Sequence, residues 1–146
     1  MARNIAYRGP LRGKALIVFN RDRQRFFDLQ SSLPPEAKNN ITLGASAEKA
    51  AEAATITFTS LGNDQSVVDI YDQILSGNGN DVTGKIFVET TTILPETTEL
   101  VAQKVTQAGG EFVAMPGRWS LVLIATTSGP RAPWGNWPAP RPPLTS

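Results

Sequence analysis

Short apolar runs alternate with longer polar segments along the first 116 residues, and this alternation constrains the fold more than any other feature. The runs predicted as strands are ALIVF (15–19), ITLG (41–44), TITFTS (55–60), KIFVE (85–89) and EFVAM (111–115). The segments between them are long enough for helices, and strands joined by helices form parallel βαβ units with right-handed crossovers. The sequence therefore predicts an α/β fold with a mostly parallel sheet and helices on both faces.

Helix starts are marked by residues that commonly cap helices. Ser46 stands before AEKAAEAA, and Asn63 or Asp64 stands before the apolar stripe of the segment up to residue 76. Their side-chain oxygens can accept a hydrogen bond from a backbone N–H of the first turn. Pro95 lies where the first turn of the last helix is expected, and proline is favoured there.

The character of the chain changes after Pro116. All three tryptophans and six of the 11 prolines lie beyond that residue. We therefore predict a folded unit over 1–116 and a divergent Trp- and Pro-rich tail over 117–146. Within the tail, SLVLIATT (120–127) is one possible strand. The rest of the tail has the composition of a polyproline-prone segment.

Composition excludes several kinds of site. The chain has no histidine and no cysteine, which excludes disulfides, zinc fingers and the Ser-His-Asp triad, and we predict no metal site. The net charge of +1 predicts no attraction to nucleic acid. No apolar run approaches the roughly 20 residues of a membrane helix. The start, MARNIAYRGP, does not resemble a signal peptide. We expect a cytoplasmic protein without nucleic acid or membrane partners.

Four stretches together resemble one known family. MARNIAYRGPL is similar to the helix after a glycine-rich loop, LIVFNRDRQR to a second strand and its turn, and ITFTSLGNDQSVVDIY to a fourth strand and its loop. KIFVETTTILPETTELVAQKVTQAGGEFVAMP is similar to an Asp-x-Ser-Thr-x-x-Pro segment with the helix and strand that follow it. The family is the β-hydroxyacid dehydrogenases, relatives of 6-phosphogluconate and 3-hydroxyisobutyrate dehydrogenase. The resemblance implies a partial Rossmann-like NADP-binding domain over 1–116.

The resemblance also implies a cofactor site. Its residues would be Asn20, Arg21, Leu61, Gly62, Ser66 and Thr91. Asn20 and Arg21 match the arrangement that favours NADP(H), because an arginine after the second strand accommodates a 2′-phosphate. Leu61 and Gly62 match a loop that touches the cofactor's ribose. An exposed turn and an ordinary strand–helix connection are the alternative explanations for these residues.

The threonines after the fourth predicted strand have a second implied role. Thr91 and Thr92 stand at the family's Ser-Thr pair, which hydrogen-bonds a substrate carboxylate or the nicotinamide ribose, and Glu89 stands where the family usually has Asp. In full-length relatives the substrate would be a small hydroxy acid or aldehyde acid. Alternatively, these threonines only favour a strand, and Thr92 caps the next helix.

Two features of the family are missing from the 146 residues. There is no G-x-G-x-x-G with its preceding strand, and no lysine follows Lys104, whereas the family's catalytic lysine lies in a C-terminal helical domain. We therefore assign no catalytic residue and expect a domain truncated at both ends. The prediction is weak NADP(H) binding at best, without turnover.

The missing strand has a structural consequence. The usual strand order, 3-2-1-4-5-6, places the first strand at the centre. Its absence predicts a gap between ALIVF and TITFTS, which either pair directly or receive residues 120–127 between them. As an alternative function, the chain is a non-catalytic interaction protein that presents PRAP and PAPRPP to an SH3 or WW module.

Overall fold

The computed structural model describes residues 2–8 and 15–116. The helices are α1 (Ala2–Arg8), α2 (Gln24–Ser32), α3 (Ala47–Ala53), α4 (Asp64–Gly77) and α5 (Pro95–Gln107), with a 3-10 helix at Pro35–Asn40. The strands are β1 (Leu16–Val18), β2 (Ile41–Leu43), β3 (Ile56–Thr59), β4 (Ile86–Glu89) and β5 (Glu111–Ala114). Each of these strands begins and ends within one residue of its predicted bounds. The predicted tail, including the possible strand 120–127, lies outside the described residues, so the division at residue 116 stays a prediction.

All strand pairing among the described residues is parallel. β1 pairs with β2, with Leu16 opposite Ile41, and β3–β4–β5 form a three-stranded sheet in which Thr59 lies opposite Glu89. A helix lies between each pair of successive strands, as the crossover connections of parallel βαβ units require. The predicted Rossmann-like α/β fold is confirmed.

The two sheets are separate in the described part of the chain. β1 pairs only with β2 there, and β3 only with β4, so the two strands predicted to flank a gap share no ladder. Direct pairing of these strands, one of the two predicted outcomes, is therefore not found. The other outcome concerns residues 120–127, which lie outside the described residues.

The larger core lies between the three-stranded sheet and helices α4 and α5. Tyr71 packs its ring against Phe87 and Phe112, with centroids 5.8 Å apart in both pairs, and Val101 and Val105 of α5 are fully buried beside them. Burial of each such side chain contributes roughly 1.5–3 kcal/mol to stability. This cluster fixes the helices that follow β3 and β4, and with them the loops at the carboxyl ends of these strands.

A smaller core lies against β1 and β2. Its buried members are Ala6, Phe26, Leu33, Ala37 and Ile41, packed against Leu16 and Val18. α1, α2 and the 3-10 helix supply this face. Gly44 lies against the other side, since a Cβ there would be 3.2 Å from Ala50 of α3 and 3.3 Å from Ile17. Helix α3 therefore approaches the other face of the β1–β2 pair near Ile17, whereas Thr42 on that face is exposed.

The predicted capping residues of α3 and α4 are confirmed. Ser46 accepts a hydrogen bond from the Lys49 N–H at 3.3 Å, and Asn63 accepts one from the Ser66 N–H at 2.8 Å. Pro95 is in the first turn of α5, as predicted, and Leu94 is the residue before the helix. The alternative that Thr92 caps α5 is therefore wrong. Among the described residues, no helix is long and apolar enough to cross a membrane.

Candidate functional site

The carboxyl ends of β3 and β4 lie side by side and form the centre of the candidate site. Parallel pairing places Thr59 beside Glu89, so the loop 60–63 and the loop 90–94 begin at the same edge of the sheet. In open α/β sheets, ligands bind beyond the carboxyl ends of the strands. The predicted residues Leu61, Gly62 and Thr91 all lie in these two loops.

Hydrogen bonds join the two loops directly. The Leu61 N–H donates to the Thr91 hydroxyl oxygen at 2.8 Å, and the Thr90 hydroxyl donates to the Thr59 carbonyl oxygen at 2.7 Å. Further along, the Leu94 N–H donates to the Asp64 carboxylate at 2.9 Å. The structure therefore brings together Leu61 and Thr91, which the sequence assigned to one site from two separate motifs.

A buried carboxylate lies behind these loops. Glu89 is only 1% exposed, and its two oxygens accept hydrogen bonds from the Thr59 hydroxyl and from the Thr91 N–H, both at 2.7 Å. The Tyr71 hydroxyl lies 3.0 Å from the Thr59 hydroxyl oxygen. Because the single hydrogen of Thr59 is donated to Glu89, the Tyr71 phenol is the donor in this last contact. The result is a continuous network from α4 to the Thr91 backbone.

The surroundings of Tyr71 raise the pKa of its phenol. Burial of the phenol raises the pKa of Tyr71 far above its ordinary value, and the nearby negative charge of Glu89 raises it further. The Tyr71 hydroxyl therefore stays protonated and remains a hydrogen-bond donor throughout the neutral range.

The sequence analysis missed the role of Glu89, which it treated only as a replacement for Asp. A signal was present: in KIFVE, Glu89 is in phase with Phe87, whose side chain is fully buried. An acid on the buried face of a strand end must find hydrogen-bond partners. Tyr71 was placed correctly on the apolar face of α4, but sequence spacing alone does not show that its hydroxyl reaches Thr59.

The other predicted residues near these loops differ in exposure. Gly62 is exposed, and a Cβ built there has no atom within 4 Å. Thr92 is exposed and takes no part in the Glu89 network, whereas Thr91 is only 8% exposed. Ser66 is half-buried in the first turn of α4, where its N–H is held by Asn63. The two threonines therefore stand in different environments.

The residues after β1 form a tight, exposed turn. The Asn20 side chain accepts a hydrogen bond from the Asp22 N–H at 3.0 Å, and the Asp22 carboxylate accepts one from the Gln24 N–H at 3.0 Å. The other Asp22 oxygen lies 3.9 Å from the Arg25 guanidinium. Arg21 is exposed, and no carboxylate of the described part of the chain pairs with it.

Comparison with family models identifies the domain. The model described as the NAD binding domain of 6-phosphogluconate dehydrogenase matches residues 1–117. The chain belongs to this family. It is an NAD(P)-binding domain of the hydroxyacid-dehydrogenase-like oxidoreductases, as the sequence motifs predicted. Comparison with curated proteins gives no match.

Solved structures share the fold of this NAD(P)-binding domain. An imine reductase from Pseudomonas sp. superposes with a TM-score of 0.60 at 21% identity, over 77% of this chain and 35% of its own. A putative oxidoreductase from Mycobacterium avium 104 gives 0.59 at 18% identity, over 79% and 36%. The structure titled Psf3 in complex with NADP+ and 2-OPP gives 0.60 at 21% identity, over 79% and 37%. The chain thus spans little more than a third of the length of these proteins.

The described residues of the NAD(P)-binding domain offer groups for some parts of a dinucleotide, but the sequence has no glycine-rich loop for its pyrophosphate. The Arg21 guanidinium has no carboxylate partner in the described region, and the joined loops leave open space beside Gly62. The 146 residues contain no G-x-G-x-x-G, whose backbone N–H groups would hold a pyrophosphate. Within the described residues, no group of three or more His, Cys, Asp or Glu side chains is placed to hold a metal ion.

Proposed function

We propose that this domain binds NADP(H) in preference to NAD(H), with the 2′-phosphate at Asn20 and Arg21. The proposal rests on the turn after β1, in which the acid already has partners and Arg21 is exposed. An NAD site needs a carboxylate free to accept the ribose 2′-hydroxyl. Asp22, the acid of this turn, is already bonded to the Gln24 N–H at 3.0 Å and lies beside Arg25. Arg21 is exposed and can pair with a phosphate in a bidentate way.

The nicotinamide half would lie at the joined loops. Leu61 and Gly62 would contact the ribose, Ser66 would line the start of α4, and Thr91 would hydrogen-bond the ribose or the substrate. The hydroxyl of Thr91 accepts a hydrogen bond from Leu61 and donates none to a described residue, so its hydrogen is available. The structure titled Psf3 in complex with NADP+ and 2-OPP has the same fold and supports a nicotinamide cofactor for this domain. When bound, the cofactor supplies or accepts a hydride.

We propose a substrate and an activity for full-length relatives, and separately the binding expected of the 146-residue chain. In full-length relatives we infer a small hydroxy acid or aldehyde acid as substrate, with Thr91 and the exposed Thr92 as its contacts. For the 146-residue chain we infer weak NADP(H) binding and no turnover, since it contains no glycine-rich loop for the pyrophosphate. A cytoplasmic location also stays a prediction. The alternative of an interaction protein with a proline-rich tail finds no support in the comparisons.

Titration of the purified chain with NADPH and with NADH tests the proposal, using the fluorescence of the reduced nicotinamide. We expect tighter binding of NADPH. Arg21→Ala should weaken NADPH binding about tenfold, the effect of one lost charge-assisted hydrogen bond, and leave NADH binding nearly unchanged. Arg23→Ala is the matched control, because it removes an equal charge from an exposed neighbour at the start of α2.

Two results would contradict this function. Tighter binding of NADH than of NADPH would show that the turn does not select a 2′-phosphate. Equal losses of NADPH affinity in Arg21→Ala and Arg23→Ala would show a general effect of positive charge. Deletion of residues 129–146 should leave both titrations unchanged and should abolish any capture by an SH3 or WW domain.

A further inference from the structure

The buried position of Glu89 is costly for the fold. The side chain is 1% exposed, and within the described residues no Lys or Arg lies within 4.0 Å of its carboxylate. Removing a carboxylate from water costs free energy that hydrogen bonds only partly offset. Replacing buried charged groups by apolar groups of similar volume is often neutral or stabilising. Packing alone therefore does not account for an acid at this position.

The Glu89 carboxylate has one property that an apolar side chain lacks: it accepts two hydrogen bonds at once. One comes from the Thr59 hydroxyl at the end of β3, and the other from the Thr91 N–H just after β4, each at 2.7 Å. The Tyr71 hydroxyl supports Thr59 from α4 at 3.0 Å. The carboxylate is thus held in a single orientation from behind and in turn fixes the Thr91 backbone.

Thr91 carries this constraint to the neighbouring loop. Its hydroxyl oxygen accepts the Leu61 N–H at 2.8 Å, and Leu61 precedes the exposed Gly62. We propose that Glu89 is a positioning residue for the nicotinamide half of the bound dinucleotide, because its carboxylate orients Thr91 and, through Thr91, the segment Leu61–Gly62. The inference rests on the proposed function. Glu89 itself touches no ligand, since it is buried behind Thr91.

This arrangement divides the binding site into two parts with different dependence on Glu89. The turn with Asn20 and Arg21 belongs to the β1–β2 pair, which shares no ladder with β3 or β4 among the described residues. A change at Glu89 therefore reaches the nicotinamide part and leaves the 2′-phosphate part in place. Adenosine 2′,5′-bisphosphate, which has the 2′-phosphate and lacks the nicotinamide, distinguishes the two.

The experiment compares the affinities of the full chain for NADPH and for adenosine 2′,5′-bisphosphate. Glu89→Gln keeps the size of the side chain but leaves one acceptor oxygen beside an NH2 group that only donates, so it no longer accepts hydrogen bonds from both the Thr59 hydroxyl and the Thr91 N–H. We expect NADPH binding to weaken about tenfold and adenosine 2′,5′-bisphosphate binding to change less than about twofold. Lys85→Met is the matched control, because Lys85 lies just before the other end of β4, where its ammonium contacts the end of α3; the change should not alter the ratio of the two affinities.

A second measurement needs no ligand. In Glu89→Gln, the amide resonances of Thr91 and Leu61 should shift and their hydrogen exchange should accelerate, whereas those of Arg21 should not. Where Glu89→Gln does not fold, Thr59→Val gives the test, since it removes the donor to Glu89 and keeps the carboxylate. It should also weaken NADPH binding and spare adenosine 2′,5′-bisphosphate.

The possible outcomes separate this inference from the proposed function. Equal weakening of both ligands in Glu89→Gln, or unchanged affinity for both, would overturn the positioning role while NADP(H) binding stands. Wild-type chain that binds adenosine 2′,5′-bisphosphate and gains nothing from the nicotinamide half would also overturn it. Wild-type chain that binds neither ligand would overturn the proposed function and this inference together.

Discussion

The Asp64 carboxylate accepts a hydrogen bond from the Leu94 N–H at 2.9 Å, so the first residue of α4 also holds the residue that precedes α5. Leu94 ends the loop that carries the candidate threonines, and Asp64 follows the loop that carries Leu61 and Gly62. This contact adds to the hydrogen bonds from Leu61 to Thr91 and from Thr90 to Thr59, which also join the two segments. It gives the carboxyl edge of the sheet a fixed shape before any ligand is bound.

Acid should weaken this connection. Hydrogen bonds with Thr97 and with the Leu94 N–H hold the pKa of Asp64 below its usual range. A group with a depressed folded-state pKa stabilises the fold above its unfolded pKa, about 3.9 for Asp, and loses that contribution as the pH falls through the lower, folded value. Asp64→Asn should therefore reduce the loss of stability below about pH 4, as measured by urea midpoints across the acid range. Asp69→Asn on the same helix is the control, and an equal effect of the two variants would contradict the assignment.

The ammonium of Lys85 stabilises the end of α3. It donates hydrogen bonds to the carbonyl oxygens of Ala51 at 3.0 Å, Glu52 at 2.7 Å and Ala54 at 2.9 Å. A cation at a helix C-terminus also interacts favourably with the helix dipole. We expect Lys85→Met to lower the free energy of unfolding by about 1.5–3 kcal/mol in urea titrations, because these carbonyls lose a charged donor.

Lys38→Met is the control for that measurement. Lys38 is exposed on the 3-10 helix, and its side chain makes no hydrogen bond with another described residue, so its replacement should change the free energy of unfolding by less than about 0.5 kcal/mol. Equal stabilities of Lys85→Met and Lys38→Met would show that the three carbonyls find water instead.

Local patterns in the sequence predicted the elements, because strand and helix signals depend on near neighbours. Ser46, Asn63 and Pro95 act at the helix starts where the sequence placed them. The role of Lys85 was not predictable, because its partners lie more than 30 residues away in the chain. The same holds for Tyr71 and Glu89, whose connection through Thr59 depends on the register of β3 against β4. Motif resemblance placed Leu61 and Thr91 in one site, but their hydrogen bond appears only in the folded chain.

Alkali should weaken the core through Tyr71. Burial and the charge of Glu89 raise the pKa of Tyr71 above its usual value. The neutral phenol therefore stabilises the fold below the unfolded pKa of about 10, and this contribution falls as the pH rises toward the higher, folded value. Tyr71→Phe should lower the free energy of unfolding by about 1 kcal/mol at neutral pH, because the Thr59 hydroxyl loses a hydrogen-bond donor. Above about pH 10, the stability of this variant should fall less steeply than that of the wild type. Urea midpoints measured from neutral to alkaline pH test this, and parallel profiles for both proteins would contradict it.

Gly62 allows the ligand site to be tested separately from the fold. A Cβ at this position has no atom within 4 Å, and the residue is exposed in the loop next to Leu61. Gly62→Val should therefore change the free energy of unfolding by less than about 0.5 kcal/mol, since the added methyl groups meet open space. If the nicotinamide ribose packs against this loop, the same methyl groups occupy its place and NADPH binding weakens about tenfold. Asn39→Val, which places the same side chain at an exposed position before β2, is the control for binding. NADPH affinity equal to wild type in Gly62→Val would place the nicotinamide half away from the loops that Glu89 and Thr91 hold together.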